Sequence, residues 1–162
     1  MGAVKLSHQM RYDAPPADVY KMLGDPDFRE QVCVAAGAVR QQVSVTPAGN
    51  GMRVEIDQTQ PAHGIPSFAA KFVGDQIQII QKETWSGDTA ADFTLEIPGK
   101  PGRCTGTVTL ADDGNGGTLE TVSGDLKVNI PLVGGKLEGL ISDLIKAAMR
   151  KEEQVGRRWL AG

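Results

Sequence analysis

Residues 130–162, IPLVGGKLEGLISDLIKAAMRKEEQVGRRWLAG, read as one amphipathic helix with a glycine-containing entry. At about 100° per residue, Val133, Leu137, Leu140, Ile141, Leu144, Ile145, Ala148, Val155 and Trp159 share one arc. Glu138, Asp143, Lys146, Arg150, Glu153 and Arg157 fall opposite. An apolar arc of that length needs a cover, and the segments before it are strand-like. The expectation is a helix laid across a curved antiparallel sheet, with a pocket for an apolar ligand where the two do not meet tightly. Leu137 through Ala148 read as the ligand-facing span, and Arg150 to Trp159 as its polar exit.

Working back from the helix, alternation marks the strands. Val4, Leu6, His8, Met10 and Tyr12 point one way, and Lys5, Ser7, Gln9, Arg11 and Asp13 the other. Two helix starts follow, one led by Pro15 and Pro16, the other by Asp25 as cap with Pro26 in the first turn and Gly37 beyond its end. Residues 38–60 read as a hairpin turning at Asn50-Gly51. Residues 61–75 interrupt the pattern, with 66–73 as either a short helix or an irregular lid. Three more strands precede a long last one, whose Gly124 suggests a bulge or sharp bend. The order is strand, two short helices, six strands, long helix.

Bulk composition narrows the function classes. A chain of 162 residues, 40% hydrophobic and 23% charged, is the size of one domain. No segment approaches the roughly 20 continuous apolar residues that span a bilayer, so stable membrane insertion is not expected. The first residues alternate and show no basic-then-apolar leader, which makes the cytoplasm the expected compartment. A formal net charge of −3 disfavours nucleic acid as a partner. Cys33 and Cys104 fit no metal or redox spacing and read as buried thiols. No cofactor and no metal are expected.

The phrases YDAPPADVYKMLGDPDF (12–28) and GDLKVNIPLVGGKLEGLISDLI (124–145), set in this order of elements, resemble the START-like superfamily. This is also the polyketide cyclase-like, or helix-grip, group. The likeness covers the whole chain, is strongest to bacterial members, and rests on architectural motifs that include a tryptophan such as Trp85. It implies an α+β fold: a seven-stranded antiparallel curved sheet wrapped around a long C-terminal helix, with two short helices between the first and second strands. It also implies a cavity that in relatives holds sterols, lipids, hormones, polyketides or quinones. It carries over no catalytic residue.

The ionisable candidates are few. His8 shares the inward face of the first strand with Tyr12, and each reads first as a structural residue and second as a polar anchor for a ligand. Glu83 alternates with Ile77, Ile79, Gln81 and Trp85 and faces inward in that register; Ile80 or a bulge near Lys82 would turn it out. A His8 and Glu83 pair could do acid–base work, as cyclisation or dehydration requires. His63 lies in a segment that reads as a surface loop. Lys151 and Glu152 flank the apolar arc and are expected to reach water or a ligand's polar head.

No triad, HExxH, phosphate loop or dinucleotide fingerprint is present. The leading expectation is a binding or carrier protein for a hydrophobic small molecule or lipid. Its walls are Met10, Val54, Ile56, Trp85, Phe93, Leu95, Val108, Leu137, Ile141, Leu144 and Ala148, with His8 and Tyr12 as polar anchors. A cyclase, aromatase or dehydratase-like enzyme using His8, Glu83 and Tyr12, and a protein-interaction module with an unknown partner, are the alternatives.

Overall fold

The computed structural model describes residues 3–62 and 65–162, so His63 lies outside the described residues. The elements run β1 (Val4–Tyr12), α1 (Pro16–Leu23), α2 (Pro26–Ala35), β2 (Arg40–Ala48), β3 (Gly51–Pro61), α3 (Ser67–Val73), β4 (Gln76–Trp85), β5 (Ala90–Glu96), β6 (Gly102–Asp112), β7 (Thr118–Val128) and α4 (Gly134–Leu160). The seven strands form one antiparallel sheet in the order β1-β7-β6-β5-β4-β3-β2. This is the helix-grip architecture. Among the described residues, no helix is long and apolar enough to cross a membrane.

Local chemistry explains most boundaries. Asp25 caps α2, its Oδ1 accepting from Asp27 N at 2.9 Å, and Pro26 supplies the first-turn φ. The β2–β3 turn sits one residue earlier than the Asn50-Gly51 expectation: Ala48 pairs with Gly51, and Gly49, at φ 58°, takes the first central position. A glycine with positive φ there suits a two-residue hairpin turn. The segment after β3 resolves in favour of a short helix, α3.

Register lines up rows across the inner face. One row runs Leu6, Gly124, Gly106, Phe93, Glu83, Val54 and Val45; the next runs Val4, Leu126, Cys104, Leu95, Gln81, Ile56 and Val43. Pairing continues unbroken through Gly124 on both sides, so it is not a bulge. Its missing side chain makes room for Phe93, whose Cζ lies 3.1 Å from where a Cβ would stand.

The core is densest where α1, α2 and the C-terminal half of α4 meet the sheet. Tyr12, Val19, Met22, Leu23 and Phe28 are buried there, and Phe28 meets Trp159 edge-on with ring centroids 5.7 Å apart. Such a ring pair adds about 1 kcal/mol beyond burial. At Gly156 the helix backbone comes so close that a Cβ would stand 2.6 Å from Tyr12 Cε1. Within the stretch 150–159, Val155, Gly156 and Trp159 pack on the core, while Arg150, Gln154, Arg157 and Arg158 are exposed and Val155 and Arg158 border an open cleft with Asp27, Glu30 and Gln41.

Most of the hydrophobic arc of α4 packs against the core, including Leu137, Ile141, Ile145, Val155 and Trp159, but two of its members do not. Gly134, Leu137, Glu138, Ser142, Val155 and Gly156 are buried, whereas Leu144 is 48% exposed and Ala148 is exposed. Those two residues turn away from the sheet and do not line a space beneath the helix. Glu138, expected in water, accepts from Val128 N at 2.8 Å and so satisfies the last amide of β7. Polar and small residues hold the buried face because they bond to, or approach, the backbone opposite.

Candidate functional site

Two features stand on the inner face of the sheet. The first is a partly open span on β3–β5. There Ile77, Ile79 and Leu95 stay half-buried although they share the face of Glu83 and Trp85, and Gln58, Gln60 and Gln81 stand among them. Gln60 Nε2 donates to Gln58 Oε1 at 2.7 Å. Ile141 and Ile145 of α4 are also half-buried. At the end of this span, Ala69 of α3 packs against Val128 and Leu137, with Ile65, Phe68 and Phe72 around it.

The second feature is a buried polar cluster that joins α2, α4, β4 and β7. Arg29, 2% exposed, donates from Nε to Leu23 O at 2.7 Å and from Nη2 to Glu83 Oε1 at 2.7 Å. Its Nη1 lies 3.6 Å from Glu152 Oε1. Glu83 Oε1 also accepts from Trp85 Nε1 at 2.9 Å, and Oε2 from Gln81 Nε2 at 2.6 Å. Gln81 links the two features: its amide nitrogen must face the carboxylate, which only accepts, so its carbonyl oxygen is left for the half-open span.

Three buried carboxyls surround this one guanidinium. Burial, with repulsion from Glu152, pushes the Glu120 carboxyl well above its ordinary value despite the pull of Arg29. Burial also raises Glu152, again against Arg29. Burial works against the Arg29 charge, but Glu83 and Glu152 outweigh it and hold the guanidinium above its ordinary value. Burial and the neighbouring carboxyls thus bias Glu120 toward its protonated form, against the pull of Arg29. Glu120 Oε1 is buried without a hydrogen-bond partner, as is His8 Nε2.

The sequence candidates separate on this geometry. His8 faces inward beside Val122, one ladder step from the Met10–Glu120 pair, and burial lowers its imidazole below the ordinary value. Tyr12 is 1% exposed and points its hydroxyl at Met10 Sδ, 3.7 Å away, so it is a core residue; burial raises its phenol. Glu83 faces inward, but three donors hold it. Met10, Val54, Ile56, Trp85, Phe93, Val108 and Leu137 are fully buried, and Leu95 and Ile141 border the open span. Cys33 and Cys104 are buried free thiols, each pushed up to about 11 by burial.

Sequence reasoning missed Arg29 and Glu120, and it sent Glu152 to water. Glu120 was legible by parity, since it alternates with Thr118, Val122, Leu126 and Val128. Arg29 had no such signal, because one helical turn does not say which charge lies under a neighbouring helix.

Comparison with known proteins supports the architecture. A family described as "Protein of unknown function (DUF2505)" matches residues 7–160. An uncharacterized protein of Mycobacterium tuberculosis, Rv0481c, is 26% identical over 104 residues, covering 61% of this chain and 60% of its own length. A START superfamily protein from Mycobacterium smegmatis superposes with TM-score 0.65 at 13% identity, over 96% of this chain and 98% of its own. The di-domain aromatase/cyclase StfQ of steffimycin biosynthesis superposes with TM-score 0.69 at 10% identity, over 97% of this chain and 50% of its own. At such identities the shared property is the fold.

Proposed function

The chain belongs to the DUF2505 family, and from that premise we propose that it binds a hydrophobic small molecule or lipid between the sheet and α4. The observation that carries the reading is the half-open inner face of β3–β5. Ile77, Ile79 and Leu95 stay half-buried there, as do Ile141 and Ile145 of α4. Apolar walls with a few convergent polar groups are what a small-molecule site offers, and Gln58 and Gln81 supply those groups. The START-like neighbours and the aromatase/cyclase named above lend support from the same fold.

Native mass spectrometry of gently purified protein tests the proposal, together with titration of a neutral apolar fluorophore such as N-phenyl-1-naphthylamine. The expected result is a co-purified species, or saturable fluorophore binding that Leu95→Trp weakens by filling the span. No bound species together with a fluorophore response indifferent to Leu95→Trp would sink it.

One observation favours a second reading, a cyclase- or dehydratase-like activity. Burial biases Glu120 toward its protonated form and His8 toward its neutral form, two residues apart on the same face of the β1–β7 ladder, which are the states of a general acid and a general base. Glu83 is a poor base in this scheme, since Arg29, Trp85 and Gln81 consume its oxygens. Once a ketide-like substrate is found, unchanged turnover in His8→Ala and Glu120→Gln would remove the catalytic reading and leave carriage.

A further inference from the structure

Leu132 is the most exposed large apolar side chain among the described residues, at 102%, and their only non-glycine with positive φ, at 72°. A branched side chain in left-handed backbone is strained, and glycine would relieve it. The loop uses glycine two and three residues later, at Gly134 and Gly135, yet carries leucine at its one left-handed position. The strain supports nothing within the fold, because the side chain touches no core.

The surroundings have one sign of charge. Three segments meet at this end: 65–74 with α3, the β5–β6 turn at 97–101, and 128–137 leading into α4. Asn129 N donates to Pro101 O at 2.8 Å, which ties the turn to the end of β7. α3 meets the first turn of α4 where Lys136 Nζ lies 5.8 Å from the Phe68 ring centroid. Lys71 Nζ is likewise 5.2 Å from the Phe72 ring centroid. These segments carry the exposed cations Lys71, Lys100 and Lys136 and no carboxylate, in a chain whose formal net charge is −3. The nearest acids in sequence are Asp75 and Glu96, just beyond the segments, and Glu138, which is committed to Val128 N.

We propose that this end is a docking tip for an anionic lipid bilayer, with Leu132 entering the interface and Lys71, Lys100 and Lys136 meeting the phosphates. The chemistry is that of a peripheral contact: a small apolar anchor plus several cations, neither sufficient alone. It differs from insertion of a spanning segment, and it stands whether or not the interior holds a ligand. Three exposed lysines at the end of the molecule that carries one exposed apolar side chain suit an anionic bilayer, where charge attraction and one shallow apolar anchor act together.

Co-sedimentation with vesicles tests it. Wild-type protein pellets with phosphatidylcholine/phosphatidylglycerol vesicles, pellets less as salt rises, and stays in solution with pure phosphatidylcholine. Leu132→Gly reduces binding about tenfold, the loss expected for part of one buried leucine, while Tm stays level or rises because the backbone strain is relieved. A Lys71→Gln/Lys136→Gln variant also loses binding and flattens the salt dependence. The proposal is overturned by equal pelleting with both vesicle types, by none with either, or by wild-type binding in Leu132→Gly. A concentration-dependent dimer that Leu132→Gly abolishes would also overturn it, assigning the tip to self-association.

Discussion

Replacing Glu120 with glutamine should make the protein more stable at neutral pH, although the residue is 3% exposed and sits in a charged cluster. The carboxyl is held above its ordinary 4.5 by burial and by Glu152, against Arg29. The folded state therefore binds a proton that the unfolded state releases above about pH 4.5. Its contribution to stability is fully present below the unfolded value and is lost as pH rises toward the folded one. One proton taken up on folding corresponds to about 1.4 kcal/mol per pH unit. Glutamine has the shape of the protonated acid and no charge to lose. The variant's advantage over wild type therefore grows with pH from the unfolded value toward the folded one, at up to that slope. Urea unfolding followed by far-UV circular dichroism, in steps from pH 5 to pH 8 at fixed ionic strength, reads the difference. The two curves should meet near pH 4.5 and diverge upward. Parallel curves, or a variant weaker at every pH, would refute the claim that Glu120 holds the proton of the cluster.

Arg29→Met should cost about 3–5 kcal/mol, because it strands buried Glu83 and Glu152 without their cation; adding Glu83→Gln should recover part of the loss in chemical denaturation. Gly156→Ala should lower stability by about 1–3 kcal/mol, since the new methyl meets Tyr12 and Met22; a Tm within error of wild type would contradict the close helix–strand approach. Leu137→Ala should cost about 2–5 kcal/mol and Leu144→Ala within about 0.5, and equal losses would return α4 to the phase read from its hydrophobicity.

The cluster at Arg29 has a consequence for the ligand space. Nε of that guanidinium donates to Leu23 O and Nη2 to Glu83, with Nη1 beside Glu152, so its charge is already matched by carboxyl groups of the protein. The polar groups that reach the half-open span are neutral amides, Gln58 and Gln81, with Gln81 oriented by Glu83.

Strand parity, the proline-led helices and the terminal amphipathic run made the architecture legible from the chain alone. Each is a local property: a period of two, a fixed φ or a capping carboxylate. His8 fell on the inward side by parity, while Glu83 did so in only one of two readings of its strand. At α4 the local rules placed Leu137, Ile141, Ile145, Val155 and Trp159 on the core side but also Leu144 and Ala148, which are exposed. They missed Glu138, Ser142 and Gly156, and the burial of Glu138 and Gly156 depends on Val128 N and Tyr12, distant in the chain.

By itself, then, the sequence determined the order of the strands and main helices, the inward side of most strands and most of the buried arc of α4, because those follow from periodicity and backbone preference within a few residues. Only the tertiary structure decided that 67–73 is a helix, that Glu83 faces inward, that Leu144 and Ala148 leave the buried arc, and that Arg29, Glu83, Glu120 and Glu152 share one cluster. Those outcomes depend on desolvation and on hydrogen bonds between groups tens of residues apart, which no local pattern encodes.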